Sequence, residues 1–239
     1  CCFEAMHYEG VSPDDITFTC VLRACGSIGL TVRARKIHAS VMKQGLEKDL
    51  FIGNTLIDVY AKCGAFSDAR DVFEGIATQD AVSWNALIGG YARQGKGHEA
   101  LSCFAHMTNE GLLPDAITFI CVLNACSHSG EMDKAQIFYE KMTKGFGIVP
   151  KLEHQTCMVL VFGCAGHFTK VISIIETLPS SYDSSFWLAL LRACKKWGNT
   201  KLGRIAFDRV IQMDDSILVE AYVHMSGIYA VAEVQENLK

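Results

Sequence analysis

The chain has 239 residues, half of them apolar, with four prolines, eleven cysteines and a formal charge of −4. That mild acidity excludes blanket attraction to phosphates, so any nucleic-acid binding must rest on locally placed groups. No apolar run reaches the roughly 18–20 residues a membrane span needs, so no membrane contact is expected. No C-x-x-C pair occurs to suggest zinc or redox chemistry.

Taken in order, residues 1–14 read as the tail of an incomplete helical hairpin. Residues 15–49 form the next, and the second helix of that hairpin buries Ala34, Ile37, His38 and Val41 by spacing, with His38 packing through its ring. Residues 50–80 form a shorter hairpin in which Ile52, Leu56, Val59 and Tyr60 make the apolar stripe, flanked by Asn54 and Asp58. In residues 81–115 the first helix carries Trp84, Leu87, Ile88 and Tyr91 at i, i+3, i+4, i+7. A turn at Gly95-Lys96-Gly97 follows, then a second helix with Ala100, Phe104 and Met107 on one face, closed by Gly111 and Pro114. Residues 116–151 and 152–183 repeat the 15–49 and 50–80 types. Residues 184–215 restart the pattern with Trp187 where Trp84 sits, and residues 216–239 begin one further hairpin that is cut off.

Two helices of about ten residues bury little alone, so such hairpins need neighbours of the same kind. Sliding the chain by 101 residues lays Phe3 on Phe104, Pro13-Asp14 on Pro114-Asp115, and ITFTCVLRAC at 16–25 on ITFICVLNAC at 117–126. Each hairpin then packs on its neighbours, giving one elongated domain. Cys20 and Cys25 recur as Cys121 and Cys126 and read as small buried thiols in a reducing compartment, not a disulfide framework. The chain reads as a fragment of a longer protein, with any targeting segment upstream.

Trp84, Leu87, Tyr91, Ala100 and Phe104 lie at tetratricopeptide spacings. Ile88 in place of a small residue, a proline two residues late at Pro114, and hairpin lengths of 35, 31, 35, 36 and 32 disagree with that family. VSWNALIGGYARQG at 82–95, NTLIDVYAKCG at 54–64 and ITFICVLNACSHSGEMDKA at 117–135 instead resemble plant pentatricopeptide repeat proteins of the PLS subclass. FWLALLRACKKWGNTKLG at 186–203 and AYVHMSGIYA at 221–230 look like the E-type extension that follows the last repeat in many members. The resemblance implies an all-α fold, a right-handed superhelical solenoid of stacked antiparallel helix-turn-helix hairpins. The repeats would be 15–49 (L-like), 50–80 (S-like), 81–115 (P-like), 116–151 (L-like) and 152–183 (S-like), with E-like hairpins at 184–215 and from 216. The 152–183 repeat diverges, with Leu160 where the family has an acidic residue and Cys164, His167, Thr169 and Lys170 at further departures.

By the same resemblance, one base of single-stranded RNA is read per repeat by the fifth and last residues. The pairs are Asn54 with Asp80, Asn85 with Asp115, Thr19 with Asp49, and Thr156 with Asp183. Asn/Asp resembles the uracil-preferring combination and Thr/Asp the guanine-preferring one, so repeats 50–80 and 81–115 would select U-U. Ile120 and Lys151 imply no clear base choice. The second residues Ile16, Phe51, Val82 and Ile117 would wedge between bases, and Lys62, Arg93 and Lys96 would meet phosphates. Read without the family, Asp80 and Asp115 are ordinary capping residues at hairpin junctions.

No P-loop, G-x-S-x-G or H-E-x-x-H occurs, and no C-x-x-C pair is present to complete a zinc-deaminase site. The expectation is a non-catalytic chain without cofactor or metal, serving as the specificity part of a mitochondrial or chloroplast RNA factor in C-to-U editing. Its partners would be single-stranded organellar RNA and a deaminase-bearing protein or other editing factor. The alternatives are a protein-binding solenoid of tetratricopeptide type, or a splicing or stability factor using the same surface.

Overall fold

The computed structural model describes residues 3, 5–6, 9–176, 184–213 and 217–237. Among the described residues every regular element is helical and no strand occurs, so the chain is the all-α solenoid type of protein. The helices are α1 (Asp15–Ser27), α2 (Thr31–Lys43), α3 (Leu50–Lys62), α4 (Phe66–Gly75), α5 (Ala81–Arg93), α6 (Gly97–Asn109) and α7 (Ala116–Ser129). They continue as α8 (Met132–Glu140) with a π-turn at Lys141–Gly145, α9 (Leu152–Cys164), α10 (Phe168–Glu176), α11 (Ser184–Trp197), α12 (Thr200–Val210) and α13 (Leu218–Asn237).

The repeat logic predicts one continuous domain, whereas the contacts gather into two compact units, Cys1–Ala125 and Cys126–Lys239. Hairpins that touch only their neighbours give no centre for a single core. In the first unit, α3 packs on α1 and α5 packs on α3, and each of the three also packs on its own second helix. A helix sandwiched in this way is buried nearly all round. In α5 the expected stripe of Trp84, Leu87, Ile88 and Tyr91 is buried, and so are Ser83, Asn85, Gly89, Gly90 and Ala92. Gly90 permits the approach: a Cβ there would lie 2.3 Å from Ala61 Cβ on α3. Gly90 thus does the work that the tetratricopeptide pattern assigns to the position of Ile88.

The second helices face outward on one side and are buried on one stripe only, Ala34, Ile37 and Val41 in α2 and Ala100, Cys103, Phe104 and Met107 in α6. The His38 ring is half-buried, and its Nδ1 lies 3.0 Å from the Tyr60 hydroxyl. Burial lowers the His38 pKa and pushes the Tyr60 hydroxyl up to about 12. Gly95, at φ +71°, makes the turn between α5 and α6 in the left-handed region that favours glycine.

In the second unit α11 packs on α9, α12 and α13. Gly163 repeats the device of Gly90, with a built Cβ 2.4 Å from Ala193 Cβ. Trp187 is buried on α11 as Trp84 is on α5. Among the described residues the cysteines form no disulfide; Cys25, Cys103, Cys126, Cys157 and Cys194 are buried, while Cys20 is exposed.

Candidate nucleic-acid interface

Four described aspartates at repeat ends, Asp14, Asp49, Asp80 and Asp115, cap the first helix that follows them. Asp14 Oδ1 accepts from the Thr17 amide at 2.8 Å, Asp49 from Ile52 at 2.9 Å, Asp80 from Ser83 at 2.9 Å and Asp115 from Thr118 at 2.7 Å. A cap of this kind stabilises its helix by about 0.5–2 kcal/mol. It also fixes where the carboxylate stands relative to the preceding first helix.

Two caps have a second partner. Asn54 Nδ2 donates to Asp80 Oδ1 at 3.2 Å, and Asn85 Nδ2 donates to Asp115 Oδ1 at 3.1 Å. The expected Asn/Asp pairs are therefore hydrogen-bonded side chains, 26 and 30 residues apart in sequence. Burial pushes the Asp80 carboxyl up, but hydrogen bonds from Ser83, its backbone amide first, and from Asn54 outweigh it and hold the carboxyl below its ordinary value.

The other two pairs are placed differently. Thr19 is buried and donates to its own helix at Asp15 O, 2.8 Å away, while Asp49 is exposed. Thr156 is half-buried and donates to Leu152 O at 2.9 Å; its expected partner Asp183 lies outside the described residues. At the start of α9, where the repeat before carries no aspartate, the Lys151 amide donates to His154 Nδ1 at 3.0 Å. Ile120 is half-buried and Lys151 exposed.

A groove of about 690 Å³ runs along the first helices of the first unit. Asn54, Asp80, Asn85 and Asp49 line it, and Asp115 meets it through Asn85. Phe51, Val82 and Ile117 line the same groove, each the second residue of its helix and each more than half exposed. Ile16 holds that position in α1 and is exposed outside the groove lining. A row of exposed apolar side chains beside a row of amides offers flat faces and polar edges in alternation. That is what a base needs: stacking on one side and hydrogen bonds at its rim.

The expected phosphate contacts are partly engaged. Lys62 Nζ lies 2.5 Å from Asp58 Oδ2 and Arg93 reaches Asp58 Oδ1 at 3.3 Å. Lys96 Nζ sits 4.7 Å over the Phe66 ring, which itself stacks on Tyr91 at 4.2 Å. The groove also contains Arg23 and Asp58, which the sequence reading did not single out as ligand contacts. They share the ninth position of α1 and α3, a signal visible only once the helices are superposed. Ser83 and Thr118 were missed too, though an aspartate three residues before a hydroxyl is a capping-box spacing. Among the described residues no group of three or more His, Cys, Asp or Glu is placed to hold a metal ion.

Comparison with known proteins bears on the family and the fold. A profile of the PPR repeat family covers residues 79–128, and the PPR repeat itself matches at 54–77 and 117–145. The pentatricopeptide repeat-containing protein At4g14820 of Arabidopsis thaliana is 36% identical over 237 residues, 99% of this chain and 33% of that protein. The Arabidopsis protein DOT4, chloroplastic, is 38% identical over 228 residues, 95% of this chain and 26% of that protein. The chain thus spans between about a quarter and a third of the length of the curated relatives it matches. Among solved structures, maize PPR10 matches with a TM-score of 0.58 at 21% identity, over 95% of this chain and 38% of that one. PPR10 in complex with an 18-nt psaJ RNA element matches with a TM-score of 0.74 at 21% identity, over 99% of this chain and 36% of that one.

Proposed function

Because this chain belongs to the pentatricopeptide repeat family of plant proteins, we propose that it binds single-stranded RNA sequence-specifically in the groove of its first unit. The observation that carries the reading is the alternation along that groove. Asn54 and Asn85, each tied to an aspartate, alternate with the exposed second residues Phe51, Val82 and Ile117. The two Asn/Asp pairs select uracil at adjacent nucleotides, and the apolar side chains separate the bases. Thr19 with Asp49, and Thr156 with Asp183, are the further base-reading pairs of the proposal, with Ile16 a further wedge.

The chain acts as a binder without catalysis, in organellar RNA processing and specifically C-to-U editing. The support for editing is the resemblance of its alternating repeat lengths and of residues 186–203 and 221–230 to the PLS subclass and its E-type extension. The support for an organelle is the same resemblance together with the chloroplastic relative. A deaminase-bearing protein or other editing factor supplies the chemistry, and the organelle is the mitochondrion or the chloroplast.

Selection from a random RNA pool tests the binding reading. Enrichment of adjacent uracils that is lost when Asn54 and Asn85 are both replaced by serine is the expected result. An enriched motif indifferent to those substitutions, or capture of peptide with no RNA retained, overturns it.

A further inference from the structure

The two Asn/Asp pairs are alike in sequence and differ in one hydrogen bond. At the first, Ser83 Oγ lies 2.6 Å from Asn54 Oδ1 and 2.9 Å from Asp80 Oδ1. A hydroxyl has one hydrogen, and the shorter separation gives it to Asn54. At the second, Thr118 Oγ1 donates to Asp115 Oδ1 at 2.9 Å and makes no bond to Asn85 Oδ1, which is buried without a partner. Ser83 and Thr118 otherwise play the same part, each accepting from the amide of its capping aspartate, at 3.3 and 3.1 Å.

We propose that Ser83 is a positioning residue for base selection, a side chain of one repeat that locks the reading asparagine of the repeat before it. The proposal rests on the RNA reading above and adds a third member to the Asn54–Asp80 pair. An asparagine amide has a donor end and an acceptor end of nearly equal shape. With Nδ2 on Asp80 and Oδ1 on Ser83, both ends of Asn54 are fixed before any ligand arrives. Ser83 is fully buried, so water does not compete for that bond. The remaining Nδ2 hydrogen and Oδ1 lone pair then meet a base edge in one order only. Uracil and cytosine present opposite donor and acceptor patterns on that edge, so a fixed amide discriminates between them and a loosened one turns to suit either.

Asn85 is held at Nδ2 alone. Its oxygen has no protein donor among the described residues and takes its second bond from the ligand. Thr118 can therefore be removed without touching the amide oxygen that reads the base. That makes the second pair the control for the first, since both substitutions cost a capping hydroxyl.

The test is the affinity of short single-stranded RNAs carrying U or C at the nucleotide facing Asn54 or Asn85, for wild type, S83A, S83T and T118A. S83A is expected to lower the U-over-C ratio at the Asn54 nucleotide by about three- to tenfold, the worth of one net hydrogen bond. S83T restores it, and T118A leaves the ratio at the Asn85 nucleotide unchanged. A normal ratio in S83A, or an equal loss in T118A, overturns the proposal, the latter by showing that capping alone is responsible. A wild-type protein with no base preference at either nucleotide overturns the RNA reading itself and this role with it. A second readout needs no RNA: hydrogen exchange of the Asn54 side-chain amide in the free protein quickens in S83A, and an unaltered rate overturns the lock.

Discussion

Asn85 carries an amide oxygen that is buried and has no protein partner among the described residues. A buried acceptor left in that state costs about 1–3 kcal/mol, which under the proposed RNA reading a base N–H would recover on binding. Asn85→Ser removes that oxygen and the bond to Asp115 together. The expected result is a fall of roughly tenfold in uracil preference at one nucleotide, with neighbouring positions unchanged; a uniform loss across RNA variants would count against a base-reading role. On the outer layer, His38 faces the Tyr60 hydroxyl and lies in the field of the Arg35–Asp68 ion pair, and burial lowers its pKa. A histidine whose folded pKa is lowered contributes stability that is present above its unfolded value near 6.5 and is lost as pH falls through the folded value. Thermal melts should therefore show Tm dropping as pH falls from about 7 to below 6. His38→Asn flattens that slope without abolishing it, since His224 in the second unit is lowered in the same way by burial. A slope unchanged by the substitution would refute the assignment.

Helices and their order were legible in the chain because the stripe of Trp84, Leu87, Ile88 and Tyr91 and the Gly95 turn are local signals. What was not legible is that α3 and α5 are buried well beyond one stripe, which makes residues off the stripe, such as Ser83 and Gly90, as constrained as those on it. Periodicity reports one apolar face; it says nothing about a helix that has a neighbour on each side. Gly90 is the sharpest case, since a built Cβ meets Ala61 Cβ at 2.3 Å. Gly90→Ala gains helix propensity of about 1 kcal/mol but must push α3 and α5 apart. Overpacking of this kind costs about 1–3 kcal/mol, so the net effect is a lower Tm by calorimetry. Gly163→Ala, against Ala193 in the second unit, should do the same. If both variants melt at or above the wild-type temperature, propensity has won and close helix approach is not what those glycines are for.

The whole chain carries 22 Lys and Arg against 26 Asp and Glu, and the groove repeats that balance on a small scale. Arg23 and Arg93 line it beside Asp49, Asp58 and Asp80. Charge counting on the sequence foresaw the absence of a general field, but not that Asp58 would hold both Lys62 and Arg93. The contact with Lys62 is local, four residues along α3, but the one with Arg93 is a consequence of stacking α5 on α3, which brings residues 35 positions apart into contact. A strand lying in the groove then releases few counterions, because the cations that meet its phosphates are already partly neutralised. For single strands the slope of log affinity against log salt is about −0.7 per phosphate neutralised. With Arg23, Lys62, Arg93 and Lys96 as the available cations, the expected slope is no steeper than about −3 between about 50 and 200 mM salt. Fluorescence anisotropy with a labelled oligonucleotide measures it directly. Asp58→Asn unpairs Lys62 and Arg93, so it should raise affinity and steepen the slope while leaving base preference alone. A wild-type slope near −6 would mean that phosphates are held by cations outside this groove, and the amides described here would then not be where the strand lies.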